Sequence, residues 1–476
     1  MVKAKKENKM KFKPYQQSQG QLFPQSIDEL VPKDHIVRVI NKIVDNFDFT
    51  YLYASYSEEG QPAYHPKMLV KILIYGYTIG VRTSRKIAER LSSDAFFMYL
   101  TGMQHPDFRT ISDFRKDKGK YFKDCFLQVL EVCKGMNLFN MQHIAIDGSK
   151  IKSNSSRNRS YTLSELEKKA KLIEKIFKEA EEADKAEDKL YGDKTGYEIP
   201  EELQDEARLL GKIKEAKEKI KKDKVKNVNL TDSDTKIMKK GDGGYDTCFN
   251  VQLAVDSKNQ IITVCDVKTV STDNHLLEEI YPEIEKNTKE RPEIISADAG
   301  YYSGETYRYI EKEKIEAYIP SSTYDKEMKE GISKYDRRNF VYNKEKDEYI
   351  CPRKQPMKYS NNSTRNGNKF KVYKGTNCRE CKLKDECIRS KNGIYRQIQI
   401  YENDIFKKVM SDKLKTAEGR AIYNRRIAII EPVYAQLKYI MGFTRFLLRG
   451  KEKTKNEFNL VCLAYNIKKI AKLMPA

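Results

Sequence analysis

Cys248-Phe-Asn-Val-Gln-Leu-Ala-Val255 alternates the apolar residues Phe249, Val251, Leu253 and Val255 with smaller or polar ones, the period-two pattern of a strand. Asp256-Ser-Lys-Asn259 supplies turn chemistry and Ile261–Val267 returns as a second apolar run, which predicts a β-hairpin. Upstream and downstream, two short apolar runs each end in an acid: His143-Ile-Ala-Ile146 before Asp147, and Ile294-Ile-Ser-Ala297 before Asp298. Between the hairpin and the second run, Asp273 is placed to cap a helix carrying Leu276, Leu277, Ile280 and Ile284. A further helix over Glu305–Lys312 leads to a strand at Ile315–Ile319. Strand, hairpin, helix, strand, helix, strand is the order of a mixed α/β sheet.

Near the C-terminus, Ala428-Ile-Ile-Glu431-Pro-Val-Tyr434-Ala-Gln-Leu-Lys438 reads as helix, with Glu431, Tyr434, Ala435 and Lys438 spaced to share one face. A third acid thus shares a face with a cation and an aromatic ring. Singly, each acid has an ordinary reading: Asp147-Gly as a turn, Asp298-Ala-Gly as a strand-end cap, Glu431 as a helix-surface acid. Together they suit a phosphodiester site, because two divalent ions about 4 Å apart can activate one oxygen and neutralise another, and carboxylates are the hard ligands such ions prefer.

The length of 476 residues predicts two to four domains. A net charge of +21 is the footprint of a nucleic-acid binder. The sequence has neither an apolar run long enough to span a bilayer nor a charged-then-apolar start, which predicts a cytoplasmic protein without a membrane partner. Cys125, Cys133, Cys248, Cys265 and Cys462 are scattered singly and read as small core residues.

Residues 1–14 are polar and basic, a disordered tail by composition. Helical patterning covers residues 15–138. His65-Pro66 opens a helix that Gly80 ends, a second helix follows over Thr83–Leu91, and Thr110 is placed to cap a long helix to about Lys134. Helix, glycine turn and basic second helix, with Arg82, Arg85 and Lys86, is a helix-turn-helix-like arrangement that would read DNA; a helical bundle with a solvated basic face fits equally. Two segments interrupt the α/β pattern. Residues 160–228 begin with a Thr162-x-x-Glu165 capping box and carry heptad-spaced apolar residues, including Leu166, Ala170, Ile173, Phe177, Ala180, Leu209, Ile213, Ala216 and Ile220, which predicts a helical-hairpin arm. Residues 340–392 hold Cys351, Cys378, Cys381 and Cys387, a loop-rich set that predicts a structural Zn²⁺ site.

Asp147-Gly-Ser-Lys150, Ser296-Ala-Asp298-Ala-Gly-Tyr301-Tyr302, and Tyr423-x-x-Arg426 followed by Glu431-x6-Lys438 together resemble the DDE transposases of bacterial insertion sequences. Within them, the residues resemble the group with a Tyr-Arg-Glu-Lys signature around the last acid. The resemblance extends to Thr83-Ser-Arg-Lys-Ile87, Pro106-Asp-Phe-Arg-Thr-Ile111, Phe249-Asn-Val-Gln252, the cysteine cluster, Arg449-Gly450 and Leu463-Ala-Tyr-Asn466, leaving the arm outside it. It implies an RNase H-like catalytic core over residues 139–335 and 395–476, split by the two insertions. It also implies catalysis by Asp147, Asp298 and Glu431 with Mg²⁺ or Mn²⁺, two ions per site, and DNA contacts by Tyr423, Arg426, Lys438 and Arg449. The implied substrate is double-stranded DNA, as terminal inverted repeats and target, bound by a homodimer at the nucleoid. A same-fold nuclease that cuts without joining and a domesticated, non-catalytic DNA binder are the alternatives. In one respect the chain departs from the signature: four residues, not three, separate Arg426 from Glu431. A kink at Pro432 is expected to absorb the extra residue, with Arg425 as the alternative arginine.

Overall fold

The computed structural model describes residues 26–474 apart from 58, 60, 176, 177, 179–200, 242, 366, 367, 389, 391 and 392. The 1–14 tail and the arm positions Phe177 and Ala180 lie outside the described residues.

A six-stranded mixed sheet organises the chain. Its strands are β1 (His143–Lys152), β2 (Lys236–Lys239), β3 (Tyr245–Asp256), β4 (Ile262–Lys268), β5 (Ile294–Ala297) and β6 (Ala317–Tyr318). The long strand β3 takes β1 antiparallel on one edge and both β2 and β4 antiparallel on the other, while β5 and then β6 continue parallel beyond β1. With its helical N-terminal region, this is a mixed α/β fold compatible with an RNase H-like core. The β3–β4 hairpin forms as its sequence predicts, and the Asp256 carboxylate holds the turn by accepting from the backbone N–H of Lys258, Asn259 and Ile261 at 2.7, 3.2 and 2.6 Å. Residues Thr247–Asp256 of β3 are all buried, because helices pack over the sheet and leave the strand no solvated face.

The helix over Lys451–Leu473 joins the N-terminal helices to this sheet. Buried from Glu457 through Ile467 with no solvated stripe, it packs on the Pro66–Thr78 and Phe122–Gly135 helices as well as on β4. One hydrophobic cluster therefore runs from Val31 through the sheet to Ile470. Local signals at the N-terminus are mostly as read: His65 and Thr83 cap their helices, Pro66 occupies a first-turn position, and Gly80 turns the chain at φ 79°. The long helix expected after Thr110 is instead two, Phe108–Asp117 and Phe122–Gly135. Asp107, not Thr110, caps the first, accepting from the Thr110 N–H at 2.7 Å. The break falls at Gly119, where a Cβ would stand 3.2 Å from Asn456 Cβ, so close helix approach sets the interruption.

In the arm, helix 163–175 and helix Glu201–Asp223 share a small core of Leu166, Ala170, Ile213, Ala216, Ile220 and Val228, and the Thr162–Glu165 capping box forms. The cysteine-bearing segment contains a five-stranded antiparallel sheet, Val341–Asn343 through Gln397–Tyr401, around Phe340, Met357, Tyr373 and Ile398. Its loop-rich sequence did not announce these strands.

Candidate active site

The parallel register of β1 and β5 brings two acids together. Ile146 pairs with Ala297, so Asp147 and Asp298 each take the next position on neighbouring strands, whose spacing is about 4.8 Å. Asp147 Oδ1 accepts from its own following N–H, that of Gly148, at 2.9 Å. Asp298 Oδ1 accepts from Gly300 N–H at 2.9 Å and caps the short Ala299–Tyr301 turn. Burial pushes the Asp147 carboxyl up to about 7, against the pull of the Arg426 charge, and Asp298 and Asp273 push it the same way. Asp298 is raised as well, chiefly by burial.

The helix over Ala417–Ala435 packs across β1 and β5. Arg426 is buried and its Nη1 lies 3.6 Å from Asp147 Oδ2; Nε and Nη1 have no hydrogen-bond partner among the described residues. Arg425, the alternative, is exposed. Tyr423 is half-buried with its ring 5.9 Å from the Arg426 guanidinium carbon. Tyr434 is buried and donates its hydroxyl to the Asp147 carbonyl at 2.9 Å. Lys438 donates to Ser149 Oγ at 2.7 Å, and burial draws its ammonium below the usual lysine range. Glu431, one turn before Tyr434, is exposed, and among the described residues its side chain has no hydrogen-bond or ion-pair partner.

The expected kink at Pro432 is absent. Pro432 lies inside the helix, which runs unbroken to Ala435 and passes into a π-helical turn at Gln436–Ile440. A proline here withholds the N–H that would meet the Ala428 carbonyl, and Gln260 Nε2 donates to that carbonyl instead, at 2.9 Å. The irregularity therefore comes after the proline, and the π turn sets how Lys438 faces β1.

Asp273 was read as a helix cap, and its side chain does other work. The helix after it, Leu276–Thr288, has His275 at its cap with no side-chain bond. The Asp273 carboxylate turns to the sheet, accepting from Asn250 Nδ2 at 2.7 Å, Gln252 Nε2 at 2.8 Å and Lys150 Nζ at 3.1 Å. A Cβ on Gly300 would meet Asp298 Oδ1 at 2.9 Å and Asp273 Oδ2 at 3.2 Å, so one glycine separates the two carboxylates. The usable sequence signal was the polar pair Asn250 and Gln252 within an otherwise apolar strand.

The other predicted contacts are scattered. Arg82 lies 3.8 Å from the fully buried Glu457 and donates to the Arg445 carbonyl at 2.9 Å, so its guanidinium serves the fold. Arg85 is exposed and stacks over Phe108, and Lys86 is exposed beside it. Arg449 donates to the Asn154 carbonyl at 2.9 Å on the rim of a hollow of about 540 Å³, which is also lined by Lys152, Arg157, Arg159 and Arg445. Cys351, Cys378, Cys381 and Cys387 line one cavity. Burial raises the Cys387 thiol, against the Arg396 charge, and the other three cysteines raise it further.

Among the described residues, no three or more His, Cys, Asp or Glu side chains already stand together as a metal-holding group. The donor chemistry at Asp147 and Asp298 nevertheless fits a divalent cation, since two half-buried carboxylates face a single guanidinium that reaches neither within hydrogen-bond distance. No described helix is long and apolar enough to cross a membrane.

The mixed sheet with its helical N-terminal region defines a class of fold compatible with an RNase H-like core. Family models place the chain further. Residues 350–471 match a transposase DDE domain, and residues 25–117 match a transposase domain (DUF772). These matches indicate an insertion-sequence DDE transposase, an enzyme of DNA transposition. The DDE match contains the four cysteines, Arg426, Glu431 and Lys438, while Asp147 and Asp298 lie outside it. No curated protein matches the chain.

Proposed function

We propose that the protein cuts DNA at the terminal inverted repeats of its element and joins the ends to target DNA. Asp147, Asp298 and Glu431 are the metal-binding acids. The observation that carries this reading is the buried Arg426, whose Nε and Nη1 lack partners beside the two register-paired acids. Buried unpaired donors are costly, and a phosphate oxygen would satisfy them. Mg²⁺ or Mn²⁺, two ions per site, would supply an activated oxygen nucleophile and neutralise the leaving oxygen. Asp147 within β1 and Asp298 at the end of β5 would hold the ions, with Glu431 of the Ala417–Ala435 helix as the third acid. Arg426 takes a non-bridging phosphate oxygen. Lys438 is held against Ser149 and contacts the neighbouring strand as a point charge. Tyr423 positions Arg426 by stacking.

The basic hollow around Arg449 supports a duplex path away from the acids, and Arg85 and Lys86 add exposed charge on the N-terminal helices. Cys351, Cys378, Cys381 and Cys387 hold one structural Zn²⁺, a role supported by their shared cavity. A homodimer would present two sites to the two element ends.

Linear DNA carrying the gene with its flanks, incubated with the protein and Mg²⁺, tests the reading. Cut ends and joined products are expected from the wild type, and retained end binding without cutting from Asp147→Asn, Asp298→Asn and Glu431→Gln. Cutting without joining would favour the same-fold nuclease, and binding without cutting the domesticated binder. Wild-type cutting rates in one of the acid variants would remove that residue from the site.

A further inference from the structure

We propose that Asp273 is a positioning residue that holds Asp298 opposite Asp147, and this rests on the reading that those two acids bind the metal. Three side-chain donors from two strands converge on its carboxylate: Lys150 of β1, and Asn250 and Gln252 of β3. Because Gln252 spends its amide N–H on Asp273 and on Asn250 Oδ1, at 2.8 and 3.0 Å, its carbonyl oxygen must face the other way. That oxygen accepts from the hydroxyl of Tyr301, which is fully buried at the end of the turn capped by Asp298. The chain of contacts runs from Asp273 through Gln252 and Tyr301 to the backbone that aims Asp298. Asp273 also fixes the Lys150 ammonium, three residues beyond Asp147 on the same strand, so that it does not pair with Asp147 or Asp298.

The backbone is shaped around this carboxylate. A Cβ on Gly148 would stand 2.5 Å from Gln252 Nε2 and 2.7 Å from Asp273 Oδ1. A side chain there would expel Asp273 from its place, so the position directly after Asp147 is kept bare. A helix cap would need none of this, since the cap position is His275 and Asp273 contributes only its carbonyl to the Leu276 N–H.

Mn²⁺ binding to the purified full-length chain, read by electron paramagnetic resonance beside a thermal melt, tests the proposal. Groups that orient metal ligands typically change affinity by about 10–100-fold when lost. Asp273→Asn is expected to melt near the wild type and to weaken Mn²⁺ binding by about tenfold. Tyr301→Phe removes the far end of the same chain of contacts without changing charge, and it too should weaken binding. Its result decides the matter if Asp273→Asn fails to fold. Unchanged Mn²⁺ affinity in Tyr301→Phe, or in a folded Asp273→Asn, overturns the proposal. Failure of the underlying reading looks different: the wild type would then bind Mn²⁺ no better than Asp147→Asn.

Discussion

Replacing Arg426 by Lys keeps a positive charge beside Asp147 but removes the planar fork that can offer two N–H groups to one phosphate. If the unpartnered Nε and Nη1 await substrate, Arg426→Lys should lower the cutting rate by about a hundredfold, the scale of losing one preorganised donor, while end binding persists in a gel-shift assay. Equal cutting rates would mean that the guanidinium serves only to neutralise Asp147. A second residue, at the buried start of β1, gives the fold an acid limit. Burial, helped by the Arg425 charge, pushes the His143 imidazole down to about 4, and its Nε2 lies 2.8 Å from Ser296 Oγ. Below its unfolded value of about 6.5 the unfolded chain takes up the proton first. The stability from neutral His143 is therefore complete above about pH 6.5 and is lost as the pH falls toward 4. Denaturation of His143→Gln across that window should show a shallower acid slope than the wild type; parallel slopes would assign the limit to other groups.

At the scale of elements, the described residues of the cysteine-bearing sheet share only a small hydrophobic core, centred on Phe340, Met357, Tyr373 and Ile398, too little to stabilise five strands without help. Purified protein should hold one zinc per chain. Cys378→Ser or a strong chelator should open residues 340–392 to protease while the main thermal transition moves little. Sub-stoichiometric zinc with the segment still protected would leave the cysteines unligated. The helix over Ala417–Ala435 offers a second test. Gln260→Ala leaves to solvent the exposed Ala428 carbonyl that Pro432 does not meet, and also removes the acceptor of Lys469 Nζ; it should cost about 1 kcal/mol in urea unfolding. Pro432→Ala would restore the internal donor, so in that background the Gln260→Ala cost should shrink. Additive effects would show that the two groups are independent.

At the scale of the molecule, the N-terminal helices and the six-stranded mixed sheet are joined by more than a linker. Glu457 is wholly buried and accepts from Tyr77 Oη at 2.9 Å and from the N–H groups of Leu447 and Leu448, both at 2.9 Å, with Arg82 close by. Arg115 in turn donates to the Arg82 carbonyl at 2.7 Å. Removal of a buried charged partner typically costs about 3–5 kcal/mol, so Glu457→Ala should lower the midpoint of a single unfolding transition. A fragment spanning residues 139–476 should fail to fold, because helix Lys451–Leu473 would expose the face that packs on Pro66–Thr78 and Phe122–Gly135. A stable, cooperatively folding fragment would show that the shared core is dispensable.

Sequence alone determined what depends on neighbours along the chain. The period-two run through Phe249 and Val255, the Asp256 turn, the helix opened by His65-Pro66, the helix beginning at Thr83 and the apolar runs before Asp147 and Asp298 were all legible, because strand alternation and helix-start chemistry are local physics. Three acids with a Tyr, an Arg and a Lys at set spacings were enough to point to the transposases. Tertiary structure alone decided which side chains meet. The register Ile146–Ala297 pairs two acids far apart in the chain, and helix packing buries Arg426 while Arg425 stays in solvent. Asp273 shows the limit most clearly: an Asp before a helix reads as a cap from spacing. Only the fold, by bringing Lys150, Asn250 and Gln252 within hydrogen-bond reach, turns its carboxylate away from the helix and into the site.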